Sequence, residues 1–420
     1  MKLTSLPSKR ETIRQNMIHV RDRTLELFND CSREEFCQQA HPDFSPVGWH
    51  LGHIALTESL WILEHCAGEA PLFPEYRQLL TADGLRKEER QNLPDCSIIQ
   101  DYLETVRNRV FKYLETAPIA QQERLWYWLL QHESQHNETI VFLLQLLRWG
   151  KLQESISLQL RDRLSPLSSF NTNISDAMVT ISAGEFLMGN NNIEAQDNER
   201  PEHLIYLDTY QIDRFPVTCQ QYREFIEVGG YQKAEFWSEM GWQWLQNNPI
   251  AQPLYWRDSP DWKEHPVCGV SYYEAEAYAT FTGKRLPTEA EWEKAASWDA
   301  KIGEKLLYPW GNNTPNSKYC NYNTFIGHTT PVNLYLNGQS PWGCWDMMGN
   351  VWEWTSSLFS EYNGFEFYPY RGYSQVYFDN KHQVLRGGSW VTLPWSLRAS
   401  FRNWYHPWVR QILVGFRCAV

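Results

Sequence analysis

Apolar residues recur with a helical period over the first 150 residues of the chain. Positions three and four residues apart share one face of a helix, and the proline-containing segments between the apolar stretches are typical of connections. Four helices joined in this way predict an antiparallel bundle over residues 1–150, with the fourth helix ending near Gly150. The apolar stretches cover residues 13–28, 51–63, 98–114 and 125–147.

Beyond residue 150 the helical period is lost. Residues 151–176 are rich in Ser, Asn and Arg and contain Pro166, which predicts a linker. Short alternating stretches then predict strands, and Thr288 with Glu291 forms the capping box that predicts a helix start. Residues 177–420 are therefore expected to form an α+β domain with long irregular segments. The predicted strands are 178–181, 185–188, 204–207 and 210–212, and a further helix is predicted at 272–282.

Composition and charge narrow the class of protein. A chain of 420 residues suggests more than one domain, and most of its 21 Trp residues follow residue 237, where large aromatic surfaces are expected. The net charge of −12, without a basic run, argues against a nucleic-acid or anionic-membrane partner. The polar first 14 residues, the lack of a long apolar run and nine cysteines without a Cys-x-x-Cys pair predict a cytoplasmic protein with reduced thiols.

The stretch from His132 to His136 reads His-Glu-x-x-His, within the fourth predicted helix. Histidines four residues apart lie on one helical face and can share a metal ion. A catalytic metal usually needs a third protein ligand, and the second helix offers His50 or His53. Three neutral imidazoles would leave the opposite side of the metal open for substrate.

Zinc proteolysis is the obvious interpretation of this motif. However, position 139 is Thr where the extended three-histidine protease signature has Gly, and Glu154 falls in the predicted linker. A zinc metallohydrolase is therefore the weaker of the metal hypotheses.

The second half carries several motifs that together closely resemble the formylglycine-generating-enzyme family, a variant of the C-type lectin fold. The first half resembles the small DinB-like four-helix bundles, which place three histidines on a metal. The motifs of the second half are Cys268-Gly269-Val270-Ser271, the run from Gly283 to Glu293, Tyr308-Pro309-Trp310-Gly311, Asp346 to Trp354, Arg386 to Trp390 and Gly415-Phe416-Arg417.

This pair of domains resembles the iron(II)-dependent sulfoxide synthases of ergothioneine and ovothiol biosynthesis. The resemblance implies an oxidoreductase that uses O2 to join a thiol, cysteine or γ-glutamylcysteine, to the imidazole C2 of hercynine (trimethylhistidine) and oxidises the sulfur to a sulfoxide. Its implied iron(II) ligands are His53, His132 and His136, which favours His53 over His50. The resemblance also allows a structural calcium ion in the second domain.

The same resemblance assigns substrate contacts. Gln135 would hydrogen-bond the imidazole, since an amide can donate or accept. Asn403 would bind the substrate carboxylate or imidazole, and Trp404 would face the trimethylammonium group through a cation–π contact of about 0.5 to 2 kcal/mol.

Two tyrosines are implied in catalysis. Tyr370 is assigned as the proton donor and Tyr373 as its companion, while Tyr368 and Tyr377 compete for these roles.

The carboxylates of the thiol need cations, for which Lys87, Arg90 and Arg410 are the candidates. The chain has Tyr405-His406 where members specialised for γ-glutamylcysteine have Asp after Asn-Trp. The sulfur donor is therefore open, and histidine as acceptor or a selenium donor are alternatives from related branches.

Three other functions compete. A formylglycine-generating enzyme needs a cysteine pair after the Gly-Gly-Ser segment, and residues 387–417 contain no cysteine. A non-catalytic lectin-like binding module would leave the histidines without a role. A DinB-like thiol transferase would not need the aromatic second domain.

Overall fold

The computed structural model describes residues 7–163 and 178–420, with the backbone alone for residues 150–163. The chain divides into two compact units between residues 169 and 170. We call residues 7–163 the helical unit and residues 178–420 the mixed unit, and describe each by itself. All nine cysteines are free thiols, as predicted.

Four long helices form the bundle within residues 7–163. The first begins after Ser8, whose hydroxyl caps it by accepting a hydrogen bond from the Glu11 backbone N–H. The second long helix, Val47–Glu58, is followed directly by a π-helical segment, Ser59–Cys66, and packs against the helices Cys96–Leu114 and Ile119–Arg163. The helices are α1 Lys9–Glu26, α2 Arg33–Cys37, α3 Val47–Glu58, α4 Arg77–Leu80, α5 Cys96–Leu114 and α6 Ile119–Arg163.

The N-cap of α3 is Pro46, and the hydroxyl of the preceding Ser45 accepts a hydrogen bond from Arg90. One helix end differs from the sequence prediction. Helix α6 continues through Gly150 to Arg163, so the predicted end near Gly150 is wrong. A single glycine inside a helix costs only about 1 kcal/mol relative to alanine, which does not end a long helix. The rest of the predicted linker, including Pro166, lies outside the described residues.

The mixed unit combines small sheets with short helices. Strands β1 and β4 pair antiparallel, as do β2 with β3 and β5 with β6, and a four-stranded sheet runs in the order β10-β7-β8-β9. The predicted capping box is present at the start of α10, where Thr288 and Glu291 bond each other's backbone. Within residues 178–420 the elements are β1 Met178–Ile181, β2 Gly184–Met188, β3 His203–Leu207, β4 Tyr210–Asp213, α7 Cys219–Glu227, α8 Glu239–Asn247, α9 Tyr272–Phe281, α10 Glu289–Ser297, β5 Trp298–Asp299, β6 Glu304–Lys305, β7 Trp352–Leu358, β8 Gln383–Arg386, β9 Asn403–Tyr405 and β10 Val414–Gly415.

Buried ion pairs attach the loops of the mixed unit to its helices and sheet. Arg402, next to β9, forms a bidentate pair with Glu289 of α10 at 2.9 Å for both bonds. Arg417 holds Glu353 of β7 in the same way at 2.7 and 2.8 Å. The Arg402 pair thereby anchors the start of β9, which carries Asn403 and Trp404, to α10.

No helix in the described part of the chain combines the length and apolarity that crossing a bilayer requires.

Candidate functional site

Helices α3 and α6 bring three histidines together inside the helical unit. His132 and His136 lie four residues apart on α6, with their Nε2 atoms 3.1 Å apart, and His53 faces them from α3. One nitrogen from each of the three lies within 4.8 Å of the other two. Across residues 7–163 and 178–420 this is the one group of three His, Cys, Asp or Glu donors so close together.

The hydrogen bonds around His53 indicate its tautomer. Its Nδ1 lies 2.6 Å from the carbonyl oxygen of Leu80 at the end of α4, so Nδ1 carries the proton and Nε2 keeps a lone pair. The adjacent carbonyl of Leu79 accepts a hydrogen bond of 2.7 Å from Trp49, whose indole stacks on the His53 ring at 4.6 Å. Helix α4 therefore orients both the imidazole and the indole that supports it.

The structure separates His50 from His53. His50 lies one turn before His53 on α3, but its Nδ1 is 2.9 Å from Nδ1 of His136, on the ring edge away from His132. His50 is therefore placed to contact a member of the histidine group, while His53 belongs to the group itself.

Burial keeps all three imidazoles neutral. It lowers the pKa of His53 to about 4 and holds the pKa values of His132 and His136 well below the usual range, and the neighbouring imidazoles lower them further. Neutral imidazole is the form that binds metals. The cluster is thus a set of nitrogen donors already in the protonation state that a metal requires.

Glu133 turns away from the three imidazoles. Its carboxylate accepts hydrogen bonds from Arg21 and Thr24 of α1 and from Arg107 of α5. Burial acts to raise the pKa of Glu133, but the two guanidinium groups outweigh it and lower the pKa overall. A carboxylate held in this network is not available as the general base of a zinc protease.

Glu58 of α3 completes this buried network by pairing with the same two arginines. Two positive and two negative side chains are thereby neutralised together under the histidine site.

The sequence-predicted contacts of the helical unit have different surroundings. Gln135 is half-buried next to His136 on α6. Lys87 is exposed, and its ammonium group donates to the carbonyl of Asp43 at 2.5 Å. Arg90 is buried, and its guanidinium donates to Ser45 and to backbone carbonyls while it lies 4.3 Å over the Trp49 ring. Arg90 thus supports the α3 end of the site.

Tyr370 and Tyr373 occupy one tight turn in the mixed unit. The Tyr373 hydroxyl is buried, donates a hydrogen bond to the side-chain oxygen of Gln196, and has its pKa raised well above the usual range by burial. Tyr370 is half-buried. A Cβ at Gly372 would lie 2.8 Å from Cε2 of Tyr370, so glycine allows the Tyr370 ring to lie against the turn.

Trp404 is part of an aromatic cluster in the same unit. Its ring stacks on Phe359 at 4.3 Å and lies 5.5 Å from Tyr377 and 6.2 Å from Tyr373. Strand β9 pairs Trp404 with Val384 and places Asn403 beside it. The fold therefore brings Asn403 and Trp404 together with Tyr373 and Tyr377, two of the four candidate tyrosines.

Two further positions of the mixed unit, Arg410 and His406, are already in contact with protein groups. Arg410 is buried, forms an ion pair with Glu274 of α9 at 3.3 Å and donates to the Gln252 carbonyl, so its guanidinium is already engaged. His406 stacks between His382 and Trp408, at 3.9 and 4.2 Å.

Two tryptophans that pack against the histidines are not among the site residues predicted from the sequence, although their spacing in the sequence indicates this contact. Trp49 precedes His53 by four residues and stacks on it, and Trp128 precedes His132 by four residues and stacks on it at 5.1 Å. Side chains four residues apart on a helix meet, so a Trp-x-x-x-His spacing in both helices was the available indication.

The two units match two family models. Residues 165–420 match the sulfatase-modifying factor enzyme 1-like domain, and residues 17–140 match the DinB superfamily.

Similar proteins cover nearly the whole chain. The hercynine oxygenase of Mycolicibacterium smegmatis is 36% identical over 98% of this chain and 99% of its own length. The hercynine oxygenase of Mycobacterium tuberculosis is also 36% identical, over 97% of this chain and 98% of its own. Among solved structures, PvdO from Pseudomonas aeruginosa is 24% identical and covers 59% of this chain and 95% of its own, with a TM-score of 0.45. A DinB-type helical bundle followed by a sulfatase-modifying-factor-type domain, aligned end to end with these relatives, shows that the chain belongs to the hercynine oxygenase family.

Proposed function

We propose that this protein is a non-haem iron(II) enzyme that uses O2 to join a thiol to the imidazole C2 of hercynine. The balanced reaction takes one thiol, one hercynine and one O2. The S–H and C2–H bonds are replaced by a C–S bond, one oxygen atom enters the sulfoxide, and the other leaves as water. The observation that carries the proposal is the group of three neutral imidazoles, two buried and one half-buried, in a chain that aligns end to end with hercynine oxygenases.

The donor set fits iron(II). Imidazole nitrogens bind iron and zinc alike, so the three histidines by themselves do not distinguish the two metals. Zinc carries no redox chemistry, whereas the relatives are named oxygenases, which favours iron. His53, His132 and His136 would hold the iron, which when bound would supply the redox chemistry for O2 and sulfur. A structural calcium ion has no comparable group of carboxylates within the described residues, and it remains an expectation of the resemblance alone.

The chain's own residues would bind and orient the acceptor. Gln135 offers an amide to the neutral imidazole, and Asn403 offers a second amide for the carboxylate or the ring. Trp404, backed by Phe359, presents an aromatic surface suited to the trimethylammonium group. A quaternary ammonium cannot donate a hydrogen bond, so an aromatic surface is the contact that distinguishes hercynine from histidine.

Tyr370 is the proposed proton donor and Tyr373 its companion. The hydroxyl of Tyr373 already donates its proton to Gln196 inside the mixed unit. This contact supports Tyr370 as the residue that transfers a proton and Tyr373 as the residue that positions it. For the thiol, Lys87 is the exposed cation that could meet a carboxylate, whereas Arg90 and Arg410 are buried and engaged with protein oxygens. Cysteine and γ-glutamylcysteine are both donors to be tested.

The first experiment compares two histidine variants. Anaerobically prepared protein with iron(II), hercynine and cysteine is exposed to air, and the sulfoxide is quantified by mass spectrometry alongside bound iron. We expect His132→Ala to lose both iron and product, and His19→Ala, which removes an exposed histidine of α1, to keep both. Undiminished sulfoxide formation by His132→Ala would overturn the proposal.

The second experiment tests the tyrosines and the donor. Tyr370→Phe should lower the sulfoxide yield or divert the enzyme to simple thiol oxidation, and unchanged product ratios would contradict its role. A matrix of hercynine and histidine against cysteine, γ-glutamylcysteine and a selenium analogue would identify the substrates.

A further inference from the structure

Each of the three clustered imidazoles is held by a different neighbour. Trp49 stacks on His53, and Trp128 stacks on His132. His136 is held by a hydrogen bond to His50. This contact acts on a ring nitrogen, as does the bond between His53 Nδ1 and the Leu80 carbonyl, and so affects where the proton resides, whereas the two stacked indoles do not.

The two nitrogens of His136 have separate partners. Its Nε2 lies 3.1 Å from Nε2 of His132, on the side of the three-histidine group, and its Nδ1 lies 2.9 Å from Nδ1 of His50. An imidazole that binds a metal through one nitrogen carries its proton on the other, and a partner for that proton fixes the tautomer and the ring orientation. With Nε2 given to the metal, Nδ1 of His136 donates and Nδ1 of His50 accepts.

His50 is itself held in a fixed setting. It is buried on α3, one turn before His53, so the same helix carries a candidate ligand and the partner of another. Arg90 donates to Ser45 at the start of this helix and lies over Trp49, which adjoins His50. The remaining nitrogen of His50, Nε2, is buried without a hydrogen bond of its own. The ring is therefore positioned by its surroundings, with its Nδ1 at hydrogen-bond distance from Nδ1 of His136.

We propose that His50 is a positioning residue that orients His136 and fixes its metal-binding tautomer through the bond between their Nδ1 atoms. This inference rests on the metal centre of the proposed function. Removing such a partner typically weakens metal affinity by about 10- to 100-fold.

The test uses three substitutions of one residue. His50→Asn keeps a polar atom near the position of Nδ1, His50→Gln moves its amide to the position of Nε2, and His50→Phe keeps a ring without an acceptor. We expect His50→Phe and His50→Gln to bind iron(II) and cobalt(II) about 10- to 100-fold more weakly than the unchanged protein, and His50→Asn to stay within a few fold of it. Affinities come from competition with a chelator, and the visible spectrum of bound cobalt(II) reports ligand geometry.

The outcomes separate the two proposals. Unchanged affinity and cobalt spectrum in His50→Gln would overturn the role of His50, and so would an equal loss in His50→Asn and His50→Gln, because that pattern indicates packing. Thermal melting of each variant shows whether it is folded, and the Asn and Gln pair decides the question if His50→Phe is not. Failure of the unchanged protein to bind either metal would instead contradict the proposed function.

Discussion

The two units neutralise buried charge in different ways. The helical unit pools two arginines and two glutamates in one network, in which Glu58 and Glu133 each contact both Arg21 and Arg107. The mixed unit instead pairs one arginine with one glutamate at several separate places. These pairs are Arg398 with Glu199, Arg402 with Glu289, and Arg417 with Glu353, whereas Glu293 is shared between Arg386 and Lys305.

The difference follows from the backbone of each unit. Helices present side chains at fixed intervals, so four helices can direct several charges to one place and leave another face for neutral imidazoles. Loops have no such repeat, and each loop of the mixed unit needs its own attachment. A shared network should therefore tolerate the loss of one member better than an isolated pair.

The largest expected loss of stability follows from removing one member of an isolated ion pair of the mixed unit. Glu353→Ala should destabilise the mixed unit by about 3–5 kcal/mol because it leaves Arg417 buried without a counter-charge and removes the acceptor of the Trp292 N–H. Glu133→Ala should cost the helical unit less, about 1–3 kcal/mol, because Glu58 still pairs with both arginines. Chemical denaturation of each variant measures both values, and an equal or larger loss in Glu133→Ala would contradict the comparison.

The next largest change in stability is expected at Asp346, a buried carboxyl that forms no ion pair among the described residues. Burial raises the pKa of Asp346 to about 7 from an ordinary value of 3.8, although its bond to Asn350 acts to lower it. The raised pKa means that the folded state holds the proton, so the stability from this group is present below about pH 4 and is lost as pH rises to about 7.

Asp346→Asn should therefore stabilise the protein by about 2–4 kcal/mol at pH 8, and the gain should shrink as pH falls towards 4. Asparagine also suits the left-handed backbone at this position, where φ is 52°. Denaturation at several pH values checks the prediction, and a gain independent of pH would show that the carboxyl is not its source.

A smaller effect is expected at the indole beside His53. Trp49→Phe keeps a ring on His53 but loses the bond to the Leu79 carbonyl, which should cost about 1 kcal/mol with little change in metal affinity. Trp49→Leu removes the stack as well and should weaken iron(II) binding about tenfold. Equal metal affinities for the two variants would mean that stacking does not orient His53.

The smallest effect is expected at Lys87. Because this side chain is exposed, Lys87→Met should change stability by less than about 0.5 kcal/mol, yet it should raise the KM for the thiol if Lys87 meets a substrate carboxylate. Arg90→Met is the contrasting variant, and it should destabilise the helical unit because Arg90 bonds Ser45 and backbone carbonyls. An unchanged KM in Lys87→Met would remove Lys87 from the donor site.

The sequence by itself determined the features that depend on short spacings. The four-residue interval placed His132 and His136 on one face, and the capping box at Thr288 and the strand at 178–181 were predictable in the same way. These features form locally, because helix and strand periodicity fix which side chains are neighbours. The relationship to known proteins was likewise readable from contiguous motifs, and the comparisons confirm the family.

Tertiary structure alone decided which residues that are distant in the chain contact each other and which side chains become buried. Nothing near His50 or His53 in the chain shows that one contacts Nδ1 of His136 while the other joins the donor group, since that depends on how α3 packs against α6. Arg90 was a candidate to meet a substrate carboxylate, but folding buries it against Ser45 and Trp49. Long-range packing sets burial, and burial together with the available partners determines whether a charged or polar side chain supports the fold or remains free to meet a substrate.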